Sequence, residues 1–464
     1  MENERDVNED VVLWKRKRYL VFILTCVGFV NISLMRSYLA VTIVDMTAIK
    51  SVSLENGTIA QVQEYGWSSQ VQGLILSAFS YGYLVTQLTG GILCTKFGGT
   101  YVLVVGIAFT GLLTILTPYV AAEDYTWIIV LRTLQGLMDG PCYPALLALV
   151  TRWVPIQERT SMISLALFGL MLGSVITLPI TGAITVTFGW QSASHILGAC
   201  GLIWAVLYGI MVKAGPEVDS HCSEKEKKFI LQNLKGVSVG KKYKIPWKGI
   251  LTSPAVWSIG IVCFAQMLGS SIFLSQLPRF FTDIMKLNID DASYLSAIPF
   301  IFLCVTMLFS GIVVDMVIRK KILGVRQTRR YFTLFAFFLE GSFVVAASQS
   351  TDKISFITYL TIGVMWEPLA ISCATVNVVD LCPVSAPIIL SMTATLSGSA
   401  GIIAPILVGY LTAGKTLEEW QIVFYIVAFF YFLSSIIYCI CSKAGIQEWS
   451  PVKKEHEGTN ETVA

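Results

Sequence analysis

The sequence predicts an all-α polytopic membrane protein of twelve spanning helices in two six-helix bundles, with both termini cytoplasmic. Three observations carry this. Apolar residues make up 55% of the 464-residue chain and charged residues only 14%, at a mean hydropathy of +0.69; soluble domains run about 25% charged. Twelve windows are long and apolar enough to cross a ~30 Å hydrocarbon core. Finally, of 33 Lys and Arg, 26 fall in segments that an even span count and an inner N-terminus place inside. Five fall outside, and Arg36 and Arg132 lie within spans, a strong positive-inside bias.

The windows lie near 19–44, 71–93, 100–121, 127–149, 161–186, 194–212, 254–277, 292–316, 331–349, 354–377, 387–412 and 421–442. The units expected are a tail over 1–18, a first bundle over 19–213, a linker over 214–252, a second bundle over 253–442 and a tail over 443–464. Lys15-Arg16-Lys17-Arg18 abuts the first span and reads as a topological anchor. Within that span Arg36 lies in the outer half, either snorkelling to the surface or facing inward. The polar loop that follows holds Asn56-Gly57-Thr58, an N-glycosylation sequon on the expected outer side. Spans two and three are joined by GGILCTKFGGT, with Gly91 and Lys96. After span eight the counterpart is SGIVVDMVIRKK, with Gly311, Asp315 and Arg319. Each has a glycine followed four residues later by a polar group and then a base, which suggests a parallel repeat and a gating turn in each half.

The fourth window, WIIVLRTLQGLMDGPCYPALLAL, carries the most chemistry. Arg132 and Asp139 are two helical turns apart, so both sit on nearly one face. Charges at that depth cost several kcal/mol unless they meet a partner or a wet cavity. The helix therefore either lines a polar path or holds a structural Arg–Asp clamp. Arg36 and Arg132 fall at similar depth; facing inward together they would attract an anion. In the linker, Ser223 and Glu226 form a capping box before EKEKKFILQNLK, which predicts a short amphipathic helix. In the second half, Glu340 lies mid-span in nine and Glu367 mid-span in ten, either able to be protonated and mute. Asn377 and Asp380 close span ten in NVVDLCP, where Asp380 either acts in coupling or simply faces cytoplasm.

No cysteine of the eleven falls in a predicted outer loop, so a disulfide framework is not expected. The three histidines are scattered, which argues against a metal centre, and no nucleophile–base pair points to an enzyme. No composition or motif points to a nucleic-acid partner, and a monomer is expected. Neither terminus shows an acidic di-leucine signal, which leans towards the plasma membrane.

With these residues in hand, the chain resembles the major facilitator superfamily, and within it the anion:cation symporter branch of sodium–phosphate cotransporters, sialin and vesicular glutamate transporters. RSYLAVTIV in span one is similar to that branch's R-x-N-L-S-V-A-I-V. RTLQGLMDGPCYPALLALVTRWVPIQER in span four is similar to its R-x-x-x-G-x-x-E-G-x-x-x-P-A pattern ending W-x-P-x-x-E-R. PWKGILTSPAVWSI, NVVDLCP and EEWQIVFYI are also family-like. The resemblance implies symport of a small anion, inorganic phosphate or an organic carboxylate, driven by Na⁺ or H⁺ and needing no cofactor. Arg36 and Arg132 would hold the substrate, with Tyr38 and Tyr143 completing the expected binding set. Asp139, standing where the branch carries a glutamate, would take part in coupling with Glu340, Glu367, Asn377 and Asp380; protonation or ion binding there would free Arg132. Leu76 replaces a histidine and Gln266 an arginine of the glutamate transporters, which points away from that substrate. Thr95 replaces the usual acid of the first inner turn, so gating there would rest on the turn and Lys96. The rival readings are a non-transporting anion receptor with a transporter fold and a proton-coupled exporter of acidic sugars or carboxylates.

Overall fold

The computed structural model describes residues 17–47, 49–53, 59–233, 245–287, 289–350, 352–412 and 414–451. The first six spans are α1 (Lys17–Met46), α2 (Ser69–Phe97), α3 (Gly99–Ala121), α4 (Tyr125–Asp139) with α5 (Cys142–Trp153), α6 (Arg159–Phe188) and α7 (Trp190–Met211). Two linker helices follow, α8 (Glu224–Asn233) and α9 (Trp247–Thr252). The second six spans are α10 (Pro254–Asp283), α11 (Ile289–Arg319), α12 (Val325–Ser348), α13 (Lys353–Val364) with α14 (Glu367–Leu381), α15 (Ala386–Leu411) and α16 (Leu417–Cys441). Among the described residues, ten helical stretches are long and apolar enough to cross a membrane. Spans two and four complete the twelve; α2 is threaded with Ser, Thr, Gln and Gly, and α4–α5 is interrupted and carries charges.

Helices run past the apolar windows because polar caps continue them into the interface. Asp124 accepts from the Thr126 N–H at 3.0 Å, and Thr416 and Glu419 form a capping box ahead of α16. Two departures from the sequence reading stand out. The loop after α1 contains a short antiparallel hairpin, β1 (Ile49–Ser53) and β2 (Ile59–Gln63), within an otherwise helical chain. Asn56 lies outside the described residues. Spans four and ten are both broken, at Gly140–Pro141 and at Met365–Trp366. Proline at or just after each break removes an N–H that a continuous helix would use.

The halves repeat one another. Span one packs on five as seven packs on eleven, two on four as eight on ten, and three on six as nine on twelve. Between halves, span two meets eleven and span five meets eight. The linker closes over one face. Arg18, buried at the start of α1, pairs with Glu158 at 2.8 Å and Glu226 at 3.7 Å, and Lys17 with Asp219 at 3.5 Å. Part of the basic cluster is thus a clamp on the linker as well as a charge label. The Ser223 hydroxyl caps the Glu226 N–H at 3.2 Å, but the Glu226 carboxylate turns to the α1 terminus.

Spans two and four approach to backbone distance. A side chain on Gly82 would meet the Thr133 carbonyl, and one on Gly136 the Phe79 carbonyl, the close contact that small residues allow in membranes. Gly136→Val should therefore destabilise purified protein by about 1–3 kcal/mol or more, read as a lower melting temperature in detergent. Gly73→Val, where the added atoms meet nothing within 4 Å, should leave it unchanged.

Candidate functional site

That close approach sets the position of Phe79. Phe79 and Tyr83 are one turn apart on α2, their rings stacked with centroids 6.1 Å apart. The Arg36 guanidinium carbon lies 5.3 Å from the Phe79 centroid and 5.1 Å from that of Tyr83. Arg132 reaches the same Phe79 ring at 5.0 Å. The two arginines predicted to converge both lie over the Phe79 ring, whose quadrupole favours cations.

Their surroundings differ. Arg132 is buried, and both terminal nitrogens of its guanidinium are occupied while Nε is left without a partner. It donates to the Arg36 carbonyl at 2.8 Å, the Met35 carbonyl at 3.4 Å and Gln135 Oε1 at 3.0 Å. Gln135 is oriented in turn by donating to Thr114 at 3.0 Å. Arg132 thus fastens α4 to the turn of α1 that carries Arg36. Arg36 is only half-buried, and no described residue accepts a hydrogen bond from its guanidinium. Asp139, the last residue of α4, is buried and within electrostatic reach of both arginines, but forms no ion pair with either within 4 Å. The Arg–Asp clamp, one of the two readings of this span, does not form: seven residues of helix hold the two side chains apart, and Arg132 takes backbone acceptors instead. Tyr38 is fully buried and donates to Thr117 at 2.9 Å, with its hydroxyl still within electrostatic reach of Arg132. Tyr143, just past the break, is half-buried near Tyr83 of its own half and Cys263 and Thr375 of the other.

The second-half acids separate into distinct settings. Glu367 opens α14 at the break and accepts from Gln266 Nε2 at 2.6 Å and Ser270 Oγ at 2.9 Å. Glu340 is 0% exposed and neither carboxyl oxygen has a hydrogen-bond partner. Asn377 donates to the Tyr438 hydroxyl at 2.9 Å, a contact between spans ten and twelve. Asp380 does not face open cytoplasm. It is buried between halves, 3.6 Å from Arg159 of the first and 3.4 Å from Arg329 of the second.

Asp380 belongs to a closure on the linker-bearing side. Gly91 seats against the backbone of Pro387 and Ile388, and Gly311 against Thr160 and Ser161. Asp315 accepts from both the N–H and hydroxyl of Ser161 at 2.7 Å, and Arg329 donates to Thr160 at 2.8 Å. Of the residues expected to gate, Gly91, Gly311 and Asp315 meet the opposite half. Lys96 and Arg319 are exposed at helix ends, with Lys96 over its neighbour Phe97 at 5.2 Å. Arg159 and Arg329 went unnoticed as gate residues, because bases next to a span are read first as topology signals. Arg159 does stand in the PIQER motif.

A family model described as Major Facilitator Superfamily matches residues 19–405. The chain belongs to that superfamily. Human sialin is 31% identical over 457 residues, covering 95% of this chain and 92% of sialin. Vesicular glutamate transporter 1 of Xenopus tropicalis is 28% identical over 439 residues, covering 94% and 76% of the two chains. These relatives bear out the anion:cation branch read from the motifs. Among solved structures, the proton:xylose symporter XylE superposes at TM-score 0.70, 12% identity, over 95% of this chain and 98% of that one. The fucose transporter FucP in its outward conformation gives 0.69 at 13% identity, over 92% and 100%. At those identities the likeness speaks for the fold, and a superfamily fold places the two broken spans at equivalent positions of its repeat.

Asp380→Asn leaves two buried guanidinium groups without their shared carboxylate. Removing one partner of a buried pair costs about 3–5 kcal/mol, so this closed arrangement should be lost. A cysteine placed at Ser164, which here contacts Ser372 at 2.9 Å across the halves, should become several-fold more reactive to a polar maleimide in solubilised Asp380→Asn protein. Unchanged reactivity would count against the closure.

Proposed function

We propose that this protein is a secondary active symporter that carries a small anion, an organic carboxylate or inorganic phosphate, together with H⁺ or Na⁺ by alternating access. One observation carries the reading: Arg36, half-buried over Phe79 and Tyr83, is a guanidinium inside the bundle with no acceptor among the described residues. Such a group is poised for a charge-assisted, bidentate contact to a carboxylate or phosphate. Arg132 serves as a positioning residue, holding the α1 turn while adding positive potential. Asp139 limits the net charge of the empty site, so that cation entry beside it and anion entry beside Arg36 favour each other. The linker-bearing face is taken as cytoplasmic from the 26-to-5 split of basic residues, and the working unit as a monomer with bundles at 19–213 and 253–442. A cell-surface location rests on tails without acidic di-leucine signals, and imaging of tagged protein tests it against a vesicular membrane. The glycan at Asn56 belongs to the same topology.

Uptake into proteoliposomes tests the reading, using radiolabelled L-glutamate, lactate and phosphate under separately imposed Na⁺ and pH gradients. At least one anion should accumulate. Arg36→Ala should reduce its uptake at least about tenfold, the equivalent of losing one hydrogen bond to a charged group, and Arg36→Lys should restore part of it. Arg132→Ala should lose uptake and melting temperature together. Wild-type uptake by Arg36→Ala would remove the proposed anion site.

A further inference from the structure

The buried acids of the second half are not needed to hold an anion, and their surroundings point elsewhere. Glu340 of α12 is fully enclosed, with both oxygens unpartnered. A carboxylate in that state is among the most unfavourable groups a protein interior can hold; the neutral acid is not. Span ten packs against it, since a Cβ on Gly363, one turn before Glu367, would lie 3.4 Å from the Glu340 carbonyl oxygen. Among the described residues Glu367 of α14 and the Tyr431 hydroxyl of α16 interact with its carboxyl, and no Lys, Arg or His does. Tyr431 is itself fully buried, its hydroxyl directed at Gly269 of α10, beside Glu340 but without a closed hydrogen bond to it. Tyr431 also interacts electrostatically with Glu367. Glu367 is the carboxyl with donors: Gln266 and Ser270, both half-buried, donate to one of its oxygens. No titratable group of α10 or α13 acts on either acid.

We propose that Glu340, Tyr431 and Glu367 form a proton-binding site in the second half, in which two carboxyls share one proton. Two like charges in a dry pocket without a base cannot both persist, so such a pair takes up and releases a proton as a unit. The Tyr431 hydroxyl, able to donate and accept at once, is the group through which the proton passes. It leaves Glu340 as Glu367 receives it, with no change in the charge of the pair. Glu367 is the entry point, because its donors reach towards the centre while Glu340 is sealed behind it. The inference deepens the symport reading and rests on it: the coupling ion is H⁺, and besides Asp139 the half opposite the arginines holds a site for it.

Infrared spectroscopy of the purified full-length protein, with no anion present, tests the site without transport. A protonated-carboxyl band should bleach as pH is raised, and both Glu340→Gln and Glu367→Gln should remove that change. In proteoliposomes the ratio of uptake with and without a proton gradient should fall from several-fold to one in each variant, whatever rate remains. Gln is close in size to Glu, and monodisperse elution shows that each variant is folded. A wild-type band in both variants, or a wild-type ratio in either, overturns the proposal. Absence of anion uptake by the wild type would instead overturn the symport reading, with the infrared result still deciding whether the pair holds a proton.

Discussion

A guanidinium inside hydrocarbon needs acceptors at once, and the way Arg132 finds them organises the first bundle. It takes the second lone pairs of two successive carbonyls in α1 and a glutamine side chain from its own helix. Because those carbonyls flank Arg36, the bond network fixes where the other arginine begins. Backbone contact between α2 and α4 then places Phe79 under both. One arginine is used to build the site and the other is left to use it. The division follows from burial: the enclosed guanidinium must be satisfied by protein, whereas the half-buried one can be satisfied by a solute.

The same requirement, met differently, explains the closure between halves. Small residues bring backbones together at Gly91 and Gly311, and polar groups at the seam are then buried and must pair across it. Asp380 links an arginine from each half. A buried ion pair contributes little net stability, because desolvation offsets attraction, yet losing one member is expensive. A seam of that kind specifies the closed arrangement without making it too stable to reopen, as alternating access needs.

The twelve spans were legible because hydropathy and charge bias act on whole segments. Arg36, Arg132 and Asp139 were legible because charges in apolar runs are rare. Their partners were not. Whether Arg132 meets Asp139 or the α1 carbonyls depends on the approach of a helix nearly a hundred residues away, which no local pattern encodes. Tyr38 is close to Arg36 in the chain, but that its hydroxyl would donate to Thr117 of α3 while staying within reach of Arg132 depends on how the spans pack. The hairpin is not legible because its two five-residue runs, IKSVS and IAQVQ, are short and lack a period-2 pattern. Prolines beside the acids of spans four and ten hinted at loosened helices, but not that both would break.

Those two breaks carry the last step. Asp139 ends one helix segment and Glu367 begins another, each at the interruption of corresponding spans. Each half thus carries an acid beside a place where the backbone is loosened, one just before its break and one just after, and their neighbours differ. In the first half two arginines lie within reach of the acid, so an anion and the carboxylate compete for one positive field. In the second half no base among the described residues acts on the acid, only an amide, hydroxyls and a second carboxyl, so the local field is negative and favours a cation. A carrier whose two halves rock about a central site gains from this asymmetry. On the proposed reading, solute on one wall and proton on the other would be held by different bundles, and each would neutralise the charge that opposes bringing those walls together.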